Sequence, residues 1–168
     1  QSLGDSDCAN GATYLLAWTT TPWTLPSNLG LAVGSDIDYV KVKDGEECYI
    51  LAESRLSAYY KNPDEYKILW KKKGSALKDM RYEPLFPYFA HLAKEGFVQD
   101  GNAAQSQTIA SIGAFRVFIG DFVTTEDGTG IVHTAPGFGE EDNKLFKGSG
   151  IPVVCPVDGE CKFTAEVS

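Results

Sequence analysis

The sequence contains few of the residues on which metal binding or covalent cross-linking depends. Its 168 residues include four cysteines, two histidines and one methionine. No apolar run approaches the roughly 20 residues that span a bilayer, so no membrane association is expected. A zinc site takes about four ligands, and two histidines without a close cysteine pair do not supply them. The cysteines, at positions 8, 48, 155 and 161, are too sparse for a disulfide framework. We therefore expect reduced thiols, a cytoplasmic location, and neither metal nor other cofactor.

Several catalytic motifs are missing as well. The sequence has no P-loop, no GxGxxG stretch opening a helix, no HExxH and no GxSxG. Its 15 basic and 23 acidic residues give a net charge of −8. Because duplex binding depends on Lys and Arg neutralising phosphates, a general nucleic-acid-coating surface is disfavoured. The net charge does not disfavour recognition of a single nucleotide end in a pocket.

Short strands and turn signals dominate the chain and predict an α+β domain built around a β-barrel-like sheet. Asp44-Gly45 is typical of a hairpin turn. Segment 85–107 gives no clear pattern. Helices are predicted over 53–61 and 140–147, and strands over 12–18, 31–33, 38–42, 48–51, 66–72, 115–124, 130–134, 153–154 and 161–164.

Three consecutive threonines, Thr19, Thr20 and Thr21, follow the first predicted strand. Pro22 favours an extended conformation at Thr21, which predicts Thr21 as an N-cap and Pro22 as the first residue of a helical turn. Hydroxyls beside the N–H groups of such a turn can hold a water molecule or an oxyanion. Threonines also suit strands and caps, so this segment alone does not establish a site.

A glycine-rich stretch near residue 130 is the second unusual segment. Gly137 and Gly139 would allow positive φ angles and close approach of a ligand to the backbone. His133 leaves the preceding strand, and Asp142 lies in the first turn of an acidic helix. Asp142 either complements the helix dipole or faces a pocket and pairs with an ammonium group.

These two segments, TTTPWTLPSN at 19–28 and GTGIVHTAPG at 128–137, resemble the signature stretches of the editing domain of isoleucyl-tRNA synthetases. That domain is the connective insertion of class I aminoacyl-tRNA synthetases. Valyl and leucyl relatives typically carry arginine in place of Thr21 and an acidic residue in place of Trp23. The resemblance implies that residues 1–168 are a single editing domain excised from a larger synthetase. The HIGH and KMSKS signatures are absent, so this chain alone should not activate an amino acid.

The resemblance also implies an activity and a set of site residues. The activity is deacylation of valine misattached to isoleucine tRNA, with hydrolysis of valyl-adenylate as a second implied reaction. The partners are the CCA end of the tRNA, the valine moiety and the rest of the synthetase, with the fragment itself a monomer. Asp142 would anchor the α-ammonium group, and Trp23 with His133 would form the wall that excludes isoleucine. The ester carbonyl, the attacking water and the terminal ribose would be held by Thr19, Thr20 and Thr21.

Three other interpretations remain open at this point. A valyl-type editing domain would act on threonyl-tRNA and would need a polar group for the side-chain hydroxyl. A non-catalytic β-rich module would bind a small amine or an RNA end. A carboxylate-pair hydrolase would use Glu140 and Glu141, which requires both to face one cleft.

Overall fold

The computed structural model describes residue 8 and residues 12–94, 96–100 and 107–167. The chain divides into two compact units. The first unit comprises Gln1–Thr19, Ala32–Lys78 and Ile119–Val132, and the second comprises Thr20–Leu31, Asp79–Phe118 and His133–Ser168. The expectation of a single domain over 1–168 stays a prediction.

Short elements make up both units. The strands are β1 (Thr13–Leu15), β2 (Gly30–Val33), β3 (Asp38–Asp44), β4 (Glu47–Ala52), β5 (Lys67–Lys73), β6 (Gly96–Asp100), β7 (Gln107–Ser111), β8 (Arg116–Ile119) and β9 (Ile131–Thr134). The α-helices are α1 (Leu56–Tyr59) and α2 (Glu140–Phe146). Turns of 3-10 helix cover Pro22–Ser27, Glu53–Arg55, Pro63–Glu65, Gly74–Leu77, Ala90–Ala93 and Ala165–Val167. No helix within these described ranges is long and apolar enough to cross a bilayer.

A four-stranded sheet with the order β1-β4-β3-β5 forms the first unit. Strand β1 runs parallel to β4, and β3 is antiparallel to both β4 and β5. The predicted hairpin is confirmed, since Asp44 pairs with Glu47 and Gly45 has a φ of +62°. Glycine suits this turn because it adopts positive φ without a Cβ clash. The core of this unit includes the buried side chains of Val40, Val42, Leu51 and Leu56.

The second unit has its own apolar core. Strands β6 and β7 pair as an antiparallel hairpin that occupies part of the segment without a clear sequence pattern. The core side chains come from separated stretches of chain and are Leu29, Phe89, Ala114, Phe115, Phe146 and Ile151. Gly30 fits against this core because a Cβ there would lie 2.7 Å from Phe146 and 2.8 Å from Phe118. Tight packing thus positions the chain immediately after the threonine-rich turn.

A third sheet has the order β8-β2-β9. The α+β class is confirmed, and the strands of the described residues form separate sheets of four, three and two strands without a closed barrel. In the four-stranded sheet, β1 and β5 are edges that do not pair with each other. Alternating hydrophobicity indicates which face of a strand is buried, whereas closure depends on the pairing of the two edge strands.

Several predicted elements are shorter in the structure. The strand predicted over 12–18 pairs only at Thr13–Leu15, with an isolated bridge at Trp18. The strand predicted over 115–124 begins after Phe115, whose φ of +61° is incompatible with extended backbone. The helix predicted over 53–61 is a 3-10 turn followed by the four residues of α1. Residues 153–154 are not a strand, and 161–164 contribute one bridge, between Val157 and Phe163.

The expectation of four reduced thiols is wrong for one pair. Cys8 and Cys48 form a disulfide, with their Cα atoms 6.0 Å apart, while Cys155 and Cys161 are free and exposed. Thr13, at the start of β1, is paired with Cys48 on β4. That pairing places the start of β1 beside Cys48, although 40 residues separate the two cysteines. Sequence spacing alone carried no signal of this proximity.

Candidate functional site

The threonine-rich segment forms a tight turn, as its sequence predicts. A 3-10 helix covers Pro22–Ser27, with Thr21 at the N-cap and Pro22 as the first helical residue. The Thr24 N–H donates to the Thr21 carbonyl at 3.0 Å and closes the turn. The side chain of Thr21 makes no capping bond to the helix backbone. Thr20 is exposed, and Trp23 keeps 63% of its surface exposed.

The glycine-rich segment links strand β9 to helix α2, which begins after the N-cap Gly139. Gly139 has a φ of −142°, so its backbone is extended. A Cβ at Gly137 would lie 2.2 Å from the carbonyl oxygen of Val154. The expectation that these glycines serve positive φ angles is therefore wrong for both Gly137 and Gly139. At Gly137 the close approach is to another part of the backbone.

A side-chain hydrogen bond joins the two segments. His133 Nε2 and Thr24 Oγ1 lie 2.9 Å apart, although 109 positions separate the residues in sequence. Both side chains are buried, with 6% and 4% of their surfaces exposed. The two signature stretches found in the sequence therefore meet inside the second unit.

The amide of Asn28 determines which ring nitrogen of His133 carries the proton. Asn28 Nδ2 lies 2.8 Å from the Gly30 carbonyl oxygen and 2.8 Å from His133 Nδ1, and the Tyr82 hydroxyl donates to Asn28 Oδ1. A carbonyl oxygen only accepts, so the amide nitrogen must face Gly30 and donate. The same NH2 group then donates to His133 Nδ1, which is the unprotonated ring nitrogen.

The other ring nitrogen of His133 therefore carries the proton. Nε2–H donates to Thr24 Oγ1, and the Thr24 hydroxyl donates in turn to the Thr21 carbonyl at 2.8 Å. Thr21 Oγ1 lies 3.3 Å from Thr24 Oγ1 and extends the chain of hydrogen bonds. We call the set Tyr82, Asn28, His133, Thr24 and Thr21 the His133 network.

Burial keeps the imidazole neutral. It lowers the pKa of His133 to about 4 from a usual value of 6.5. With both ring nitrogens engaged by protein groups, His133 has no lone pair or proton available for a substrate at neutral pH. The ring can act by its shape and by holding the turn, and it is not a general base.

Asp142 is held by the loop that precedes its helix. Its Oδ2 accepts a hydrogen bond from the Ala135 N–H at 2.9 Å. Burial is the main cause of a raised Asp142 pKa, with a further contribution from the charge of Glu141 and an opposing one from the Ala135 hydrogen bond. A half-buried carboxylate with a raised pKa is a natural partner for a cation, because a cation would offset its loss of hydration.

The two glutamates beside Asp142 are in a different environment. The side chains of Glu140 and Glu141 are 83% and 63% exposed, and both pair with Lys144, at 2.9 and 3.2 Å. They form a solvated surface cluster on α2. The carboxylate-pair hydrolase, which needs both glutamates in one cleft, is therefore disfavoured.

Five of the six predicted site residues belong to the second unit: Thr20, Thr21, Trp23, His133 and Asp142. Thr19 belongs to the first unit, and its predicted role in substrate binding stays a prediction, as do the roles of the other five. Sequence reasoning missed Thr24, Asn28 and Tyr82 as members of the His133 network. The spacing of Thr24 three residues after Thr21 was a usable signal, whereas nothing near Tyr82 connected it to the site.

Comparisons with known proteins find relatives over most of this chain. The chain is 62% identical over 161 residues to the isoleucine–tRNA ligase of Treponema denticola, covering 93% of this chain and 14% of that protein. It is 48% identical over 158 residues to the isoleucine–tRNA ligase of Rickettsia felis, covering 91% of this chain and 12% of that protein. The chain thus spans a small part of the curated relatives it matches. No protein-family model matches.

Solved structures identify the fold. The crystal structure described as GlLeuRS-CP1 matches with a TM-score of 0.53 at 19% identity, covering 80% of this chain and 42% of that one. The editing domain of P. falciparum cytosolic leucyl-tRNA synthetase matches with a TM-score of 0.51 at 13% identity, covering 78% of this chain and 44% of that one.

The fold is that of the editing domains of class I aminoacyl-tRNA synthetases. The chain itself belongs to the isoleucyl-tRNA synthetase family and is homologous to the connective-peptide editing region of that family. The resemblance inferred from the two signature stretches is confirmed.

Proposed function

We propose that this chain hydrolyses the ester that joins valine to the isoleucine-specific tRNA. Water adds to the ester carbonyl, the bond to the terminal ribose oxygen breaks, and valine and uncharged tRNA are released. The same site would hydrolyse valyl-adenylate. Such a step is needed because one methylene in an apolar pocket supplies only about 1–3 kcal/mol of discrimination, and isoleucine against valine in this family is the standard illustration of that limit.

The observation that carries the proposal is the hydrogen bond between Thr24 and His133, which joins the two signature segments. It brings the turn bearing Thr21 and Trp23 to the strand end from which the Asp142 loop departs. A hydroxyl-bearing turn and a half-buried carboxylate would together suit an aminoacyl ester, which has a carbonyl at one end and an ammonium group at the other. Asp142 would bind the ammonium group in a charge-assisted hydrogen bond.

The chemistry would rely on positioning because no strong base belongs to the described site. A threonine hydroxyl is a weak base at neutral pH, and both nitrogens of His133 are engaged by Thr24 and Asn28. Thr20 and Thr21 would orient the ester and the attacking water and would stabilise the charge that develops on the carbonyl oxygen. A hydroxyl of the terminal adenosine could accept the proton of the water.

Substrate selection would be steric. Trp23, with its large exposed fraction, and the ring of His133 would bound the space for the side chain, so that an isopropyl group enters and the longer isoleucine side chain does not. The proposed partners are the CCA end of the tRNA, the valine moiety and the rest of the synthetase, without a cofactor. The net charge of −8 suits an encounter with a single-stranded end better than with the tRNA body.

Asp142→Asn provides the test, with Glu141→Gln as its matched control one residue away. We would measure single-turnover deacylation of valyl-tRNA, isoleucyl-tRNA and threonyl-tRNA, with the full chain in excess. The wild-type chain should hydrolyse the valyl ester selectively. Asp142→Asn should slow this reaction by roughly 10- to 100-fold, the equivalent of one charge-assisted hydrogen bond. Glu141→Gln should leave the rate within about twofold, because its carboxylate pairs with Lys144 at the surface.

The outcomes separate the alternatives. Preferential hydrolysis of threonyl-tRNA would identify a valyl-type editing domain. Stabilisation by a non-hydrolysable valyl-adenosine analogue without turnover of any ester would identify a binding module. Equal rates for wild type and Asp142→Asn would remove Asp142 from the site.

A further inference from the structure

One side of the four-stranded sheet in the first unit carries lysines without acidic neighbours. Residues directly opposite each other in an antiparallel pair point to the same side of a sheet. Strands β3 and β5 place Lys43 opposite Lys67 and Tyr39 opposite Lys72. The residues of β4 opposite this side of β3 are uncharged and are Cys48, Ile50 and Ala52. No acidic residue therefore balances the positive charge at the paired positions on this side of β3, β4 and β5.

A bulge in β5 brings Lys67 to this side. The pairing skips Leu69, because Lys41 is opposite Trp70 and the next residue of β3 is opposite Ile68. In a regular strand, residues three apart point to opposite sides, but the extra residue of the bulge puts Trp70 and Lys67 on the same side. Lys67 thus lies directly opposite another lysine. Like charges in that position destabilise a sheet, so the fold gains nothing from the arrangement.

The lysines on the other side of the sheet are neutralised. Lys73 Nζ lies 3.0 Å from a carboxylate oxygen of Asp38. Lys71 Nζ lies 3.6 Å from Asp38 and 2.6 Å from Glu53. The two sides of one sheet therefore differ in how they treat the same residue type, and only one side leaves its positive charge available.

The unbalanced lysines are accessible. Lys67 is exposed, and Lys43 and Lys72 are half-buried. Lys72 Nζ lies 5.1 Å from the centroid of the Trp70 ring, a contact that holds the ammonium group near the sheet without neutralising its charge. Lys41 shares this side but is only 3% exposed and is not part of the accessible surface. We call the set Lys43, Lys67 and Lys72 the lysine face.

We propose that the lysine face binds the phosphodiester backbone of the tRNA. Proteins bind nucleic-acid backbones with lysines and arginines that neutralise successive phosphates. Lys67 and Lys72 are separated along β5 by roughly 15 Å, so the charges form a row that suits a polyanion better than a single phosphate. This inference rests on the proposed function for the identity of the RNA and on the sheet geometry for the place where it binds.

The charge of the whole chain makes the lysine face distinctive. A net charge of −8 repels a polyanion from most of the surface, so a local group of positive side chains offers RNA a preferred approach. The lysine face belongs to the first unit, whereas Asp142 and the His133 network belong to the second. We therefore expect the lysine face to contribute to the binding of tRNA and not to the hydrolysis of the ester.

The double variant Lys43→Gln/Lys67→Gln provides the test, and Lys71→Gln/Lys73→Gln is its matched control. Each removes two positive charges from the same sheet, and the two variants differ in the side that is changed. We would measure binding of uncharged tRNA to the full chain by fluorescence anisotropy between about 50 and 200 mM salt. Thermal unfolding would verify that both variants are folded.

The wild-type chain should bind tRNA with an affinity that falls as the salt concentration rises. In Lys43→Gln/Lys67→Gln the affinity at the lowest salt should fall about tenfold, and the slope of log Kd against log salt should decrease by about 1.5. The control variant should stay within about twofold of the wild type, because its lysines are already paired. In single-turnover deacylation of valyl-tRNA, the first variant should need more protein for half-saturation while its rate at saturation stays unchanged.

Lys67→Glu separates RNA binding from folding. The new carboxylate would lie opposite Lys43 and replace a repulsive cross-strand pair by an attractive one, so the variant should be at least as stable as the wild type. Its affinity for tRNA should nevertheless fall, because it places a negative charge in the row. Affinity lost without any loss of stability cannot be a consequence of unfolding and would support the proposal.

Three results would overturn the proposal. The first is equal weakening by the two double variants, which would mean that net charge governs binding. The second is a wild-type chain that binds no tRNA at low salt. The third is unchanged binding in Lys67→Glu, which would leave the lysine face as a contact for an acidic protein surface. A chain that binds tRNA through the lysine face but hydrolyses no ester would instead refute the proposed function and support this inference.

Discussion

Two tyrosine hydroxyls, one in each unit, illustrate different uses of a buried polar group. In the first unit, Tyr39 is fully buried, and its hydroxyl accepts from the Gly34 N–H at 3.0 Å and donates to the Gly130 carbonyl at 2.5 Å. In the second unit, the Tyr82 hydroxyl bonds to the side chain of Asn28. The partners of Tyr39 are backbone groups, so its hydroxyl stabilises the chain path.

The partner of Tyr82, by contrast, is the side chain of Asn28. Asn28 is also hydrogen-bonded to His133, which in turn bonds to Thr24 in the threonine-rich turn. Within the described residues, the buried hydroxyls of Ser27 and Thr134, which also lie in the second unit, have no hydrogen-bond partner. Buried groups left unsatisfied are uncommon and concentrate where function constrains the packing. In the first unit the buried hydroxyl of Tyr39 therefore bonds only to backbone, while in the second the buried polar groups bond to one another around His133.

The largest effect on stability should come from Tyr39→Phe. The change leaves the buried Gly34 N–H and Gly130 carbonyl unpaired, which should lower the free energy of unfolding by about 2–4 kcal/mol. Urea denaturation measures this loss, and the same experiment on Tyr82→Phe should show a smaller one, of about 1 kcal/mol. Deacylation per folded molecule should be unchanged in Tyr39→Phe. If Tyr39→Phe lost more activity than folded protein, Tyr39 would affect the site as well as stability, and the difference between the two tyrosines would not hold.

The next effect is a pH dependence of stability that originates in the His133 network. The folded pKa of His133, about 4, lies below its usual 6.5, so the unfolded chain takes up a proton first as the pH falls. The contribution of His133 to stability is therefore complete above pH 6.5 and is lost as the pH falls toward 4. At pH 4.5 the loss should reach about 2–3 kcal/mol relative to pH 7.

His133→Gln, compared by urea denaturation at the two pH values, should reduce the difference between them by that amount. The Tyr39 region of the first unit has no such titrating group in its hydrogen bonds and should not contribute. An unchanged pH dependence in His133→Gln would mean that His133 is not kept neutral by burial.

The smallest effect concerns Asp142, and here only the direction is predicted. Burial raises the folded pKa of Asp142, so its favourable contribution to stability is present at low pH and is lost as the pH rises through that pKa. At neutral pH, Asp142→Asn should therefore be at least as stable as the wild type while being less active. As the pH is lowered, the deacylation rate should fall with an apparent pKa above that of an ordinary aspartate. A variant less stable than the wild type at pH 7 would show that Asp142 is a structural residue.

The sequence allowed the local structure of the threonine-rich turn in the second unit to be predicted. The order threonine, proline, tryptophan predicted the N-cap and the helical turn correctly, because proline restricts both its own φ and the preceding residue. The Asp44-Gly45 hairpin was predictable for a similar local reason. The lengths of β1 and α1 were overestimated, because pairing partners and local 3-10 geometry decide where such short elements end.

Other features depended on contacts between distant residues. The Cys8–Cys48 disulfide, the sheets that do not close into a barrel and the hydrogen bond from Tyr82 to Asn28 had no local signal. Gly137 was predicted to admit a ligand, yet its missing Cβ accommodates the Val154 carbonyl.

The amino-acid sequence by itself determined the family, the α+β class and the two chemically distinctive segments, since these follow from local residue order. The tertiary structure decided that Thr24 and His133 meet, that the imidazole is neutral, and that Asn28, held by the Gly30 carbonyl, sets its tautomer. Hydrogen-bond direction depends on which donors and acceptors become neighbours after folding, and no spacing along the chain encodes that.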